Sequence, residues 1–156
     1  MTMDRSLFKF SSQLRVRNYE VDWQGIVHNA TYLLYFEVGR IEYLQHVGVK
    51  VDLNTIQQES KVVLVRNEIN YKSPAKFGEA LNIHTRISAI RNTSFVFEGF
   101  MEEAVNRRLV AENMAFHVWL DAKSDEPIRV NEDFRRIIKK FEGTALILES
   151  KTPRIA

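Results

Sequence analysis

The chain has no cysteine. That excludes disulfides, thiolate catalysis and cysteine-ligated zinc, and it fits a reducing compartment. Proline is scarce, with three residues (Pro74, Pro127, Pro153) scattered along the chain, and there are six glycines among 156 residues. Neither marks a linker, and no repeat or low-complexity segment is present, so the expectation is one domain over residues 1–156. No stretch approaches the ~20 apolar residues of a membrane-spanning helix. MTMDRSLFKF holds no apolar run like that of a signal peptide. The expected location is therefore the cytoplasm. Charge of one sign is also missing: 22 basic and 20 acidic residues give a net charge of +2. Without a dense basic tract nucleic acid is not an expected partner, although a local basic patch for a phosphorylated ligand remains open. The chain has no G-x-x-x-x-G-K phosphate loop, no G-x-G-x-x-G dinucleotide fingerprint and no G-x-S-x-G nucleophile elbow.

What the chain does have is a hydrophobic share of 45% and strongly patterned segments. Leu7–Tyr19 reads as a first strand and Asp22–His28 as a loop containing Gly25. Asn29–His46 reads as a long helix that is apolar nearly all round. Ala30, Leu33, Leu34, Ile41 and Leu44 share one helical face, which is read as the packing face. Tyr32, Tyr35, Phe36, Gly39 and Tyr43 lie on the other. Such a helix must be wrapped, and a curved sheet can do it. Gly48 ends the helix, and Asp52–Glu59 reads as a short helical segment or ordered loop. Four strands follow: Lys61–Tyr71, Leu81–Ile90, Ser94–Ala104 and Leu109–Asp121. The last three are joined tightly enough for an antiparallel meander. Asn131 is an N-cap for a terminal helix with a Phe134, Ile137, Ile138, Phe141 stripe, and Gly143 stops it. Residues 143–156 read as a mobile tail.

A carboxylate, Asp22, stands seven residues before Asn29, where the long helix begins. A helix N-terminus carries roughly half a positive charge and unpaired N–H groups, which together can hold the oxygen of a carbonyl under attack by a nearby carboxylate. Read alone, Asp22 is a loop residue or a helix cap before it is a catalyst.

The run DWQGIVHNATYLLYFE resembles the opening motif of the hot-dog-fold acyl-CoA thioesterases of the 4-hydroxybenzoyl-CoA thioesterase type. YKSPAKFGEAL, IRNTSFVFEG and RRLVAENMAFHVWLD follow in the family's order, and GIVHNATYL is also similar to a segment of acyl-ACP thioesterases. The resemblance implies an α+β hot-dog fold, with a five-stranded antiparallel sheet wrapped around one long central helix plus a short C-terminal helix. It implies a homodimer or homotetramer with sites at the subunit interface, and no cofactor or metal. Acyl-CoA is the implied substrate; acyl-ACP, or a module that binds acyl-CoA without cleaving it, are the alternatives.

By the same resemblance Asp22 is the catalytic nucleophile or general base. Gly25 shapes the loop against substrate, and the Asn29 backbone N–H, or its side chain as a cap, serves the helix end. Relatives carry histidine where this chain has Asn29, so His28 is assigned a supporting role in packing or at an interface. Glu37 and Tyr32 are further supporting residues. Glu37 is expected on the buried Leu33, Leu34, Ile41 face, where it would need a hydrogen-bond partner. The turn Arg91, Asn92, Thr93, Ser94 is matched to the coenzyme A contact, with a solvated hairpin turn as the alternative. His46, His84 and His117 are expected to be structural.

Overall fold

Along Leu81, Ile83, Thr85 and Ile87 every second residue is apolar or small, and all four are buried. The strand Ser11–Arg15 alternates in the same way, whereas Ser94–Glu103 is buried along nearly its whole length. The computed structural model describes residues 3–50 and 60–149. In chain order they form β1 (Ser11–Arg15), α1 (Thr31–Val47), β2 (Ser60–Tyr71), β3 (Ala80–Ile90), β4 (Ser94–Glu103), β5 (Leu109–Asp121), α2 (Glu132–Glu142) and β6 (Ile147–Leu148). The sheet order is β1-β3-β4-β5-β2, with β6 parallel to β3. β1 is antiparallel to β3 and pairs Leu14 with Leu81. The expected α+β layout, with a meander β3-β4-β5 and one long helix, is what forms.

The first strand is shorter than expected. It is bounded by 3-10 turns at Arg5–Leu7 and Asn18–Glu20, and the chain leaves the ladder where Val16 bonds to Gly78 and Glu79. Within the stretch read as a tail, Gly143–Ala145 makes a 3-10 turn and Ile147–Leu148 adds a sixth strand. The Asp52–Glu59 segment and the end of the chain lie outside the described residues.

Two compact units share the chain. One takes Met1–Tyr43, Glu68–Arg86 and Glu98–Met114, the other Leu44–Asn67, Ile87–Phe97 and Ala115–Ala156, so far as these are described. In the first unit α1 lies against β3 and β4, but by the face opposite to the one expected. Tyr32, Tyr35, Phe36, Gly39, Arg40 and Tyr43 are buried, while Leu34 (59%) and Ile41 (38%) are exposed. The reason is close approach. A Cβ on Gly39 would stand 2.7 Å from Ile83 Cγ2 and 3.0 Å from Thr85 Oγ1, and one on Gly99 would stand 3.0 Å from Phe36 Cδ1. The helix comes close to the sheet at its one glycine, and the large rings of Tyr35, Phe36 and Tyr43 are buried to either side of it in the chain.

Arg40, on this buried face, donates to Asn113 Oδ1 at 3.2 Å, and Asn113 Nδ2 donates to the Glu68 carbonyl at 2.8 Å. Burial lowers the Arg40 pKa, against the pull of Glu37. Glu37 itself is exposed, so the expected buried carboxylate is corrected: in this chain it faces out, with the aliphatic side of α1.

In the second unit Phe95 is central. It stacks on His117 (5.3 Å) and meets Phe134 of α2 at 4.8 Å, and Phe134 in turn meets Trp119 at 5.3 Å. Asn131 caps α2 by accepting from the Phe134 N–H at 3.1 Å, and Phe134 and Ile138 are buried, as the stripe predicts.

Candidate active site

Asp22 opens a tight turn. Its carbonyl accepts from the Gly25 N–H (3.0 Å), its own N–H donates to the Ile26 carbonyl (2.9 Å), and Val21 bridges Val27 across the loop. Gly25 has φ +75°, the left-handed region, and a Cβ there would meet nothing within 4 Å. Glycine is needed for the backbone angle, not for space. The Asp22 side chain folds back on this turn: Oδ1 accepts from the Gln24 N–H at 2.8 Å and the Ile26 N–H at 3.4 Å. Oδ2 makes no hydrogen bond among the described residues. One oxygen is anchored and the other is available. Trp23, at the tip of the turn, is fully exposed.

The loop is braced from the Ser73–Gly78 connection. Ile26 bridges Lys76, the Val27 N–H donates to the Ala75 carbonyl (2.9 Å) and the Phe77 N–H donates to the Gly25 carbonyl (2.9 Å). Ala75 is held in turn by Tyr32, whose buried hydroxyl accepts the Ala75 N–H at 3.0 Å. Burial raises the Tyr32 pKa and keeps the phenol neutral. Tyr32 in the first turn of α1 is thus tied through Ala75 to the strand-like arm that carries Asp22. The sequence reading assigned Tyr32 a supporting place without this partner, because Ala75 is 43 residues away in the chain.

α1 begins at Thr31, two residues later than expected. The His28 N–H donates to the Glu20 carbonyl (3.1 Å), and the Thr31 N–H closes on the His28 carbonyl (3.0 Å). The N–H groups of Asn29 and Ala30 make no hydrogen bond among the described residues. The Asn29 carbonyl accepts from Tyr71 Oη at 3.0 Å. His28 and Asn29 are both exposed. Free donors at a helix start are what an oxyanion requires. Asp22, Gly25, His28, Asn29, Tyr32 and Glu37 all belong to the first unit; Glu37, outward on α1, is not part of the bracing described here.

The Arg91–Ser94 turn belongs to the second unit and is held firmly. The Arg91 N–H donates to the Ser94 carbonyl (2.8 Å), and the Trp119 N–H donates to the Thr93 carbonyl (2.8 Å). Arg135 donates to the carbonyls of Arg91 (2.6 Å) and Asn92 (3.0 Å). The Arg91 side chain pairs with Glu149 at 3.2 Å. Ser94 is 2% exposed, which withdraws its hydroxyl from the surface. The sequence reading missed Arg135; its signal was the Arg-Arg and Lys-Lys spacing on α2.

The family model described as the Thioesterase-like superfamily matches residues 16–138, from the end of β1 to within α2. The chain belongs to that superfamily. It is similar to acyl-CoA thioester hydrolase YbgC of Escherichia coli O157:H7, at 31% identity over 108 residues, covering 69% of this chain and 78% of that protein. It is also similar to acyl-acyl carrier protein thioesterase ATL3, chloroplastic, of Arabidopsis thaliana, at 29% identity over 79% of this chain. The chain spans 64% of the length of ATL3. Among solved structures, a thioesterase from Thermus thermophilus complexed with coenzyme A and Zn has a TM-score of 0.74 at 27% identity, covering 87% of this chain and 96% of that one. In this thioesterase-like chain no helix among the described residues is long and apolar enough to cross a membrane.

Proposed function

We propose that the chain hydrolyses acyl-CoA thioesters to a carboxylate and free coenzyme A, with Asp22 as nucleophile or general base. The observation that carries this reading is the divided use of the Asp22 carboxylate: Oδ1 fixed by backbone N–H groups, Oδ2 unengaged. In the nucleophilic route Oδ2 attacks the carbonyl carbon, the C–S bond breaks and the thiolate leaves. Water then opens the mixed anhydride, giving the free acid and restoring the carboxylate. In the general-base route Oδ2 takes a proton from water as the water adds to the carbonyl, and the proton goes to the departing thiolate. Both routes need donors for the carbonyl oxygen, a role for which the Asn29 and Ala30 N–H groups are the candidates. Gly25 sets the turn, and Tyr32 steadies the arm beneath it. His28 and Glu37 are assigned as supporting residues, and Arg91, Asn92, Thr93 and Ser94 as the coenzyme A turn. The working unit is a homodimer or homotetramer with sites at the subunit interface, and it acts in the cytoplasm.

The test is Asp22→Asn. Asparagine keeps an Oδ1 acceptor for the Gln24 N–H, so the turn and the melting temperature should survive. Turnover of acyl-CoA should fall by roughly 10²–10⁴-fold. Wild-type turnover by the variant across short, branched, long and aromatic acyl groups removes Asp22 from the mechanism.

Similarity to ATL3 supports a second reading, hydrolysis of acyl-ACP. Rates on one acyl group carried by coenzyme A and by carrier protein separate the two. Tight binding of acyl-CoA without turnover identifies a non-catalytic module instead.

A further inference from the structure

Helix α2 places Arg135 and Lys139, and beside them Arg136 and Lys140, four residues apart in two adjacent rows. Like charges at this spacing repel, by a few tenths of a kcal/mol per pair. Arg129 adds a fifth cation, and the Arg135 pKa is lowered, by burial first and by Arg129 second. These five cations line a cavity of about 770 Å³ that also meets Glu132, Leu148 and Glu149. Two of the carboxylates near it are already taken: Glu132 pairs with Arg129 (2.8 Å) and Glu149 with Arg91 (3.2 Å). Arg136 pairs with Asp133 in an exposed contact (3.0 Å), which solvent and salt weaken. Lys139 and Lys140 are exposed and have no ion-pair partner among the described residues.

A run of cations is usually a solvated helix face. Two observations separate this one from that description. It lines an open groove between α2 and the Leu148–Glu149 segment whose volume is that of small-molecule sites, not a lone helix ridge. Arg135, one of its walls, also grips the Arg91 and Asn92 carbonyls, so the cavity is built onto the turn assigned to coenzyme A. A concave, strongly cationic site of this volume suits a compact polyanion. An acidic protein surface would favour a broader and flatter patch.

We propose that this cavity binds the phosphorylated nucleotide end of the substrate's thiol carrier, with Arg136, Lys139 and Lys140 as its phosphate-binding residues and Arg135 as the residue that positions the turn. The assignment rests on the acyl-CoA reading above. It makes α2 a specificity element: a thioester lacking the nucleotide gains nothing from it.

The probe is adenosine 3′,5′-bisphosphate, titrated calorimetrically into the full chain and into the triple variant Arg136→Gln/Lys139→Gln/Lys140→Gln. All three positions lie on the outer side of α2, and the melting temperature reports whether the variant folds. The variant should bind the bisphosphate about tenfold or more weakly, and wild-type binding should weaken with added salt. With acyl-CoA the variant should show KM raised about tenfold and kcat little changed, a penalty that disappears when the same acyl group is carried on pantetheine. Unchanged bisphosphate affinity and unchanged KM overturn the proposal. So does an equal loss on acyl-pantetheine, or a loss confined to acyl-carrier protein, which would make the patch a protein-docking surface. If the wild type cleaves no thioester yet binds the bisphosphate through these residues, the hydrolytic reading falls and the site stands.

Discussion

Asp22 is held by backbone, and the backbone that holds it is held by a side chain. The Gln24 N–H fixes Oδ1 at 2.8 Å, and the arm beneath the loop hangs from Tyr32 Oη through the Ala75 N–H at 3.0 Å. Tyr32→Phe keeps the ring in its aromatic contacts with Tyr35 and Tyr71 but leaves a buried N–H without an acceptor. Destabilisation of about 1–2 kcal/mol is expected, with a melting temperature lower by roughly 2–8 °C. If Asp22 acts from this loop, kcat should fall more than KM rises, as steady-state assays on one acyl-CoA would show. The Asp22, Gly25 and Asn29 pattern is local and was legible in the chain. The Tyr32–Ala75 bond was not, since a hydroxyl acceptor 43 residues from its donor leaves no trace in spacing.

At the scale of elements, the four long strands were legible to within a residue or so at each end, because runs rich in β-branched and aromatic residues bounded by short polar connections carry a local signal. α2 was equally plain, with its Asn131 cap and apolar stripe. α1 was legible as a helix but not in orientation. With apolar residues on both faces, periodicity has no preferred direction, and Gly39 decides the matter by allowing contact at Ile83 and Thr85. Gly39→Ala tests this. Alanine favours helix by about 1 kcal/mol over glycine, yet its Cβ would stand 2.7 Å from Ile83 Cγ2, an overlap costing typically ~1–3 kcal/mol. The denaturant midpoint should therefore drop. A rise would mean that the helix and sheet give way easily at this point. β6 was missed because two residues are too few to show a period.

The whole molecule leaves apolar surface uncovered in the single chain. Leu34, Val38 and Ile41 on α1 are exposed, and so are Leu64 and Val65 on β2, which ends the sheet order as an edge strand. A twelve-residue edge with apolar side chains invites pairing with another strand. If β2 forms the proposed subunit contact, sedimentation should give a multiple of the 18.3 kDa chain mass, and Val65→Lys should shift it toward one chain at low micromolar concentration. An unshifted assembly would move the contact elsewhere, to the α1 face first.

Local pattern alone settled which long segments become strands and helices, and which acid precedes the long helix, because those properties depend on neighbours within a few residues; the ends of β1 and the start of α1 it did not settle. Three things waited for the fold: which side of α1 meets the sheet, what braces the Asp22 loop, and which cations gather around the Arg91–Ser94 turn. Each depends on groups far apart in the chain arriving at contact distance. A Gly39 backbone too close to Ile83 to admit a Cβ, or an Arg135 guanidinium on a carbonyl 44 residues away, exists only once the strands have paired.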